Sequence, residues 1–260
     1  MTRVTRHEPG SFSWAELATS DPRGAKEFYG SLFGWTPVDN TMGPGPDDVY
    51  TRMQLGGSDV AALYKMIPDQ ASQGVPPNWL CYVTVSHADD AAKRAKELGG
   101  TVIAEPFDVM SYGRMALFQD STGATFAVWQ PGNHIGAQRV NEPGALSWCE
   151  LATREPDAAG KFYSGLFGWG LKARTDVPYT EFLRETTAVG GMYGLGPGTA
   201  DVPPNWMVYF QASDCDAAAT RAKSLQGEVL VEPKDIPGVG RFTVLQDPQG
   251  AAFSVIQLAR

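Results

Sequence analysis

Two stretches of a 260-residue chain set an indole and a carboxylate two positions apart: Trp14 and Glu16 in FSWAELAT, and Trp148 and Glu150 in LSWCELAT. In an extended strand, alternation puts Phe12, Trp14, Glu16 and Ala18 on one face and Ser13, Ala15, Leu17 and Thr19 on the other. A carboxylate among aromatic side chains tends to have a raised pKa and can serve as general base, general acid or hydrogen-bond anchor. Glu16 and Glu150 are therefore the candidate catalytic residues. A second reading stays open beside this one: Arg114 and Arg241, in equivalent places before late strands, could pair with the two glutamates and fix the sheet. Trp14 and Trp148 are likewise either core or ligand-facing. Further candidates for a ligand surface are Tyr50 and Tyr179, Tyr64 and Tyr193, and Gln119 and Gln246. The PPNW elements at Asn78-Trp79 and Asn205-Trp206 read as structural, since two prolines stiffen the entry to a strand.

Several other chemistries lack residues. The three histidines are placed apart, His7 in a frayed N-terminal segment, His87 at a helix start as a solvated or capping residue, and His134 in a linker, so no Ser-His-Asp or Cys-His set can be assembled. Cys81, Cys149 and Cys215 form no CxxC pair and read as buried thiols. GLGPG at Gly194 lacks the strand-to-helix setting of a phosphate loop. Lys plus Arg number 21 against 29 Asp plus Glu, a net charge of −8, which disfavours a nucleic-acid partner. No stretch reaches the roughly 20 apolar residues of a membrane span, and the N-terminus has no signal-peptide pattern, so a cytoplasmic protein without a membrane partner is expected.

The elements that would position the glutamates recur. PGSFSWAELATSDPRGAKEFYGSLFGW (9–35) and PGALSWCELATREPDAAGKFYSGLFGW (143–169) share 16 of 27 residues at an offset of 134. VPPNW repeats at 75 and 202, and GRMALFQDSTGATFAVWQ repeats as GRFTVLQDPQGAAFSVIQ, both at an offset of 127. The difference falls between Trp35 and Val75, where the first copy carries TMGPGPDD. Two domains are expected, 1–132 and 144–260, joined by a Pro/Gly/Asn-rich linker at 133–143. Within each copy a strand runs into a helix: Asp21 and Pro22 start it, Ala25, Phe28, Tyr29, Leu32 and Phe33 keep helical spacing, and Gly34 stops it. About three strands follow, and the order repeats in the second half of each copy. The chain therefore holds four units, each strand, helix and three strands, with four helices in all.

A first strand feeding a helix that ends FYxxLFGW, with a late strand entering after D-x-x-G (Asp120, Asp247), resembles the vicinal oxygen chelate superfamily of glyoxalases, bleomycin-resistance proteins and extradiol dioxygenases. The resemblance covers nearly the whole chain, above all to tandem two-domain glyoxalase-like proteins. It implies an α+β fold of four βαβββ units whose antiparallel sheets curl around clefts, with Trp14 and Glu16, and Trp148 and Glu150, facing inward. Metal-using members place ligands on the first and last strands. Here those positions hold Trp14, Trp148, Ala127 and Ser254, with Leu80 and Met207 on the second-half strands, so no metal ligands and no cofactor are expected. The function implied is metal-free holding of a small planar or carbonyl-containing metabolite or antibiotic in an aromatic-lined cleft. The alternative is a lyase, isomerase or dioxygenase using Glu16 or Glu150 as acid/base or in an atypical metal site. A monomer is possible because the tandem copies supply each other's unit pairs, and a homodimer remains open.

Overall fold

A computed structural model describes residues 3–45, 48–72, 74–199 and 201–259. In the first half, β1 (Phe12–Thr19), α1 (Pro22–Phe33), β2 (Thr36–Thr41), β3 (Val49–Leu55) and β4 (Ser58–Lys65) form one unit. A short α2 (Pro68–Ser72) leads to β5 (Asn78–Thr84), α3 (Ala88–Glu97), β6 (Thr101–Val109), β7 (Gly113–Gln119) and β8 (Thr125–Pro131). The second half repeats this with β9 (Leu146–Thr153), α4 (Pro156–Phe167), β10 (Gly170–Ala173), β11 (Tyr179–Arg184) and β12 (Thr187–Gly194). A 3-10 turn at Pro197–Thr199 precedes β13 (Asn205–Gln211), α5 (Cys215–Ser224), β14 (Glu228–Ile236), β15 (Gly240–Gln246) and β16 (Ala252–Leu258). The four expected helices are α1, α3, α4 and α5; α2 is an addition, a short turn of helix between the two units of the first half. No helix among the described residues is long and apolar enough to cross a membrane.

Local chemistry sets the helix ends. The Asp21 side chain accepts from the Gly24 N–H, Pro22 takes the first turn, where its missing N–H is harmless, and Gly34 ends α1 at φ 73°. The strands build two eight-stranded sheets, β2-β3-β4-β1-β5-β8-β7-β6 and β10-β11-β12-β9-β13-β16-β15-β14. The expected antiparallel pairing needs one correction. Each unit's first strand lies parallel to its last, as β1 to β4 and β5 to β8, while β1 and β5 join the units antiparallel. The helix supplies the crossover that a parallel pair requires.

The sheets turn their helix-bearing faces toward each other, and the buried side chains between them form one continuous cluster. Its centre is held by a pair of matched relays. Trp79 Nε1 donates to Tyr29 Oη at 2.9 Å, and Tyr29 donates onward to Asp247 Oδ2 of the other half at 2.9 Å. Trp206 Nε1 donates to Tyr163 Oη at 2.7 Å, and Tyr163 donates back to Asp120 Oδ2 at 2.8 Å. Asp120 and Asp247 are the aspartates of the D-x-x-G turns, and each spends its other oxygen on backbone N–H groups of its own turn. Trp35 and Trp169 complete the seam by donating to the carbonyls of Gly144 and Gly10 across it. The structural reading of Trp79 and Trp206 holds: each is a buried donor.

The stretch 133–143 is not a free tether. It lies across the first sheet on the side away from the helices, where the Ala137 and Gln138 N–H groups donate to the carbonyls of Ser13 and Asp59, both at 2.7 Å. Ala137 is fully buried there, in a cluster with Trp14, Ala62, Tyr82, Ala127 and Trp129.

Each tyrosine relay satisfies a buried indole and a buried carboxylate with one hydroxyl. Tyr29→Phe or Tyr163→Phe should therefore lower unfolding free energy by about 1–3 kcal/mol, from the orphaned groups, with little change in far-UV circular dichroism; urea unfolding of the two variants checks this.

Candidate functional site

The alternation of β1 places Trp14 and Glu16 on the face away from the helices, and the partner strand completes the floor. Trp14 stands opposite Tyr82, and Glu16 opposite Leu80. Glu16 Oε2 accepts from Tyr50 Oη at 2.7 Å, Glu16 Oε1 accepts from Tyr82 Oη at 2.9 Å, and Trp14 Nε1 donates to Tyr50 Oη at 3.2 Å. The second sheet is built alike: Tyr209 Oη donates to Glu150 Oε2 at 2.7 Å, Trp148 Nε1 donates to Tyr179 Oη at 2.9 Å, and the Tyr179 hydroxyl stands near Glu150. Tyr179 fills the space that a Cβ would take at Gly191, beside Glu150 in the ladder, where the first sheet has Ala62.

Phe12 departs from the expected face. A register shift between Phe12 and Trp14 leaves Ser13 as the extra residue of a bulge. Phe12 thereby turns to the helix side, where it packs on Trp169 and Trp206 of the other half.

The ion-pair reading of the glutamates is replaced by these tyrosines. Arg114 binds Asp89 and Asp108 on the outer surface, and Arg241 binds Asp216 and Asp235 in the same way. Neither arginine is available to line a cleft floor. Gln119 and Gln246 are spent on the D-x-x-G turns, donating to the Gly123 and Gly250 carbonyls. Of the proposed ligand surface, Trp14, Trp148, Tyr50 and Tyr179 gather at the glutamates; the two arginines and two glutamines do not. Tyr82 and Tyr209 were missed, although the alternation applied to β1, carried to β5 and β13, would have put them beside Leu80 and Met207.

Burial is the main influence on both carboxyls. It pushes Glu16 up from the ordinary glutamate range, against the pull of the Tyr50 and Tyr82 hydroxyls. It pushes Glu150 up likewise, against Tyr209, Tyr179 and the charge of Lys234. Tyr64 also faces Glu16, and burial with that neighbouring charge brings its phenol up to about 12.

The two clefts differ in what covers them. Above Glu16 lies the linker: the His134 ring meets Trp14 edge-on at 4.9 Å, and Ala137 and Val140 pack on the same cluster. Asp59, 2% exposed, holds this strap. Its carboxylate takes Arg52 Nη1 and Gln54 Nε2, both at 2.8 Å, and lies 3.4 Å from His134 Nε2. Burial alone would raise the Asp59 pKa, but His134, Gln54 and Arg52 together bring it down to about 2. In the second sheet the position of Asp59 is taken by Ala188, after the same bulge. Glu150 accordingly opens onto a cavity of about 600 Å³, walled by Trp148, Tyr179, Tyr209, Val189, Ile236 and Ile256 of its own half. His7 and Phe12 from the first half close one side. His7 is therefore not frayed: it is 8% exposed, with Nε2 2.7 Å from the Ala137 carbonyl oxygen. His87 fits its expectation, exposed and at the N-cap of α3. All three cysteines are free and buried.

The donor set does not suit a divalent cation. Trp14 and Trp148 occupy the first-strand positions, and Ala127 and Ser254 stand beside Tyr82 and Tyr209 on the last strands. The first floor offers Glu16, bonded by two tyrosine hydroxyls; the second cavity has Glu150, bonded by Tyr209, and Glu181, paired with Lys172; and no group of three His, Cys, Asp or Glu among the described residues could hold a metal.

Comparison with known proteins agrees with this frame. The profile of the Glyoxalase/Bleomycin resistance protein/Dioxygenase superfamily matches residues 11–128 and 145–255, and the chain belongs to that superfamily. CFP32 of Mycobacterium tuberculosis, which carries a provisional glyoxylase name, is 41% identical over 262 residues, spanning 100% of this chain and 99% of that one. The anthracycline biosynthesis protein DnrV of Streptomyces peucetius is 39% identical over 270 residues, covering 98% and 96%. Among solved structures, the Mn(II)-bound glyoxalase from Novosphingobium aromaticivorans superposes with a TM-score of 0.67 at 15% identity, covering 96% of this chain and 82% of that one. The 2,3-dioxygenase LapB from Pseudomonas sp. KL28 gives 0.66 at 12% identity, covering 100% and 94%. At these identities the two structures share the fold.

A glutamate whose folded pKa is raised binds more protons in the native state than in the unfolded one, so it lowers stability as pH climbs from the ordinary glutamate range through the folded value. Glu16→Gln and Glu150→Gln should gain stability relative to the parent as pH goes from 4 to 7.5, measured in paired urea titrations.

Proposed function

We propose that this protein holds a small, flat, partly apolar molecule in the cleft of its second half, without a metal, and that Glu150 with Tyr179 and Tyr209 anchors a hydroxyl, carbonyl or amine of that molecule. The observation that carries the reading is the open cavity of about 600 Å³ directly over Glu150, a volume suited to a metabolite of a few fused rings. Its floor is polar at one spot and aromatic or aliphatic around it, the usual division between orientation and affinity in such sites. The first cleft has the same floor under the linker, so we assign it a structural role. The name of one relative, an anthracycline biosynthesis protein, is compatible with a polycyclic ligand.

A second reading rests on the raised carboxyl of Glu150. A carboxyl whose pKa burial raises, with the Tyr209 hydroxyl bonded to it, is suited to exchange a proton with a substrate carbonyl, acid/base chemistry that needs no metal. A lyase, isomerase or related activity would follow from it. Turnover separates the readings: a binder returns its ligand unchanged.

Calorimetric titration with planar hydroxylated aromatics and quinones tests the first. Glu150→Gln should weaken binding by about 1–3 kcal/mol and Trp148→Ala by at least that much, while Glu16→Gln leaves affinity within about twofold. Equal losses from Glu16→Gln and Glu150→Gln would remove the assignment to the second cleft.

A further inference from the structure

The open cavity has one feature that a purely neutral ligand leaves unexplained. Arg184, at the end of β11, lines it, and its Nε is buried with no hydrogen-bond partner. No ion pair of Arg184 is found among the described residues either, and two acidic residues near it in sequence are paired with other cations. Glu181 is 3.1 Å from Lys172, and Asp176 takes Arg174 at 2.5 Å. A guanidinium is charged at all ordinary pH, and a partly buried one without a carboxylate is costly to keep. Packing does not demand it. The corresponding residue of the first sheet, at the same register next to the hairpin turn, is Leu55. Leu55 lies against Gly144 as the Arg184 stem lies against Gly10, the equivalent glycine. The same backbone thus accepts leucine, and the second half carries a cation facing a cavity instead.

We infer that the ligand of the second cleft is an acid: a planar, largely apolar body with a carboxylate, or another planar oxyanion, taken by Arg184, and a hydroxyl or carbonyl taken at Glu150. This rests on the reading of the cleft as a ligand site and narrows its ligand class. The guanidinium fork matches a carboxylate with two parallel hydrogen bonds, and the cavity's aliphatic walls strengthen the attraction by excluding water. The ladder sets a span. Glu150 stands beside Gly191, which pairs with Glu181, so Arg184 lies two strands across and three residues further along, roughly 14 Å between backbones at about 4.8 Å per strand and 3.3 Å per residue, from which the reach of the two side chains is subtracted. A two- or three-ring system with its polar groups at opposite ends fits this length.

The test uses 6-hydroxy-2-naphthoic acid, its methyl ester and 2-naphthol at pH 7.5 and low salt, with calorimetry on the full chain. The acid is expected to bind at least tenfold more tightly than the ester. Arg184→Leu, which copies the first sheet and should keep the melting temperature, is expected to abolish that preference while leaving ester affinity unchanged. Arg184→Lys should retain part of it, and 0.5 M salt should shrink it in the parent alone. Equal affinity for acid and ester in the parent, or a preference that survives Arg184→Leu, overturns the inference while the cleft reading stands. If none of the three compounds binds, or Trp148→Ala leaves all three affinities untouched, the cleft reading fails and takes the inference with it.

Discussion

Everything in this fold leans on two phenols buried between the sheets. Tyr29 and Tyr163 each accept a hydrogen bond from an indole of their own half and donate one to an aspartate of the other. That aspartate simultaneously closes the D-x-x-G turn from which the last strand of its sheet departs. The relay therefore ties the helix of one half to the turn of the other. Burial raises the tyrosine pKa values well above normal, so the hydroxyls stay protonated and keep donating. With the helix faces committed to each other, the outer faces are left to carry the glutamates.

Those outer faces begin as near copies and end differently. Both have a tryptophan, a glutamate and two tyrosines in the same geometry. The divergence lies in small substitutions around them: Asp59 against Ala188, Ala62 against Gly191, Leu55 against Arg184. Asp59 gathers Arg52, Gln54 and His134 and thereby holds a strap over one floor. With a methyl group at Ala188, the second floor has no such anchor.

Much of this was legible in the residues. The offset of 134 exposed the duplication, and FSWAELAT, Asp21 and Gly34 marked a strand and a helix where they occur. The inward pair Trp14 and Glu16 came from alternation together with family likeness. What stayed hidden depends on long-range contact. A bulge at Ser13 cannot be seen in an alternating run, so Phe12 was assigned to the wrong face. Arg114 was drawn to Glu16 by equivalent position, whereas Asp89 and Asp108 lie closer in space. His134 looked like a loop residue because nothing in PGNHIGAQ announces that the loop lies on a sheet. Tyr82 and Tyr209 were within reach of the same alternation argument.

The strap across the first sheet has a consequence for how chains meet. The contact between the halves is nearly symmetric, so a half from one molecule is complementary to the opposite half of another, the usual condition for exchange of segments between copies. A slack connection would make that exchange easy. Here the connection is pinned to Ser13 and Asp59 by backbone hydrogen bonds, which shortens its free length and raises the local concentration of each half around its own partner. The segment that covers one cleft also favours pairing of the two halves within one chain.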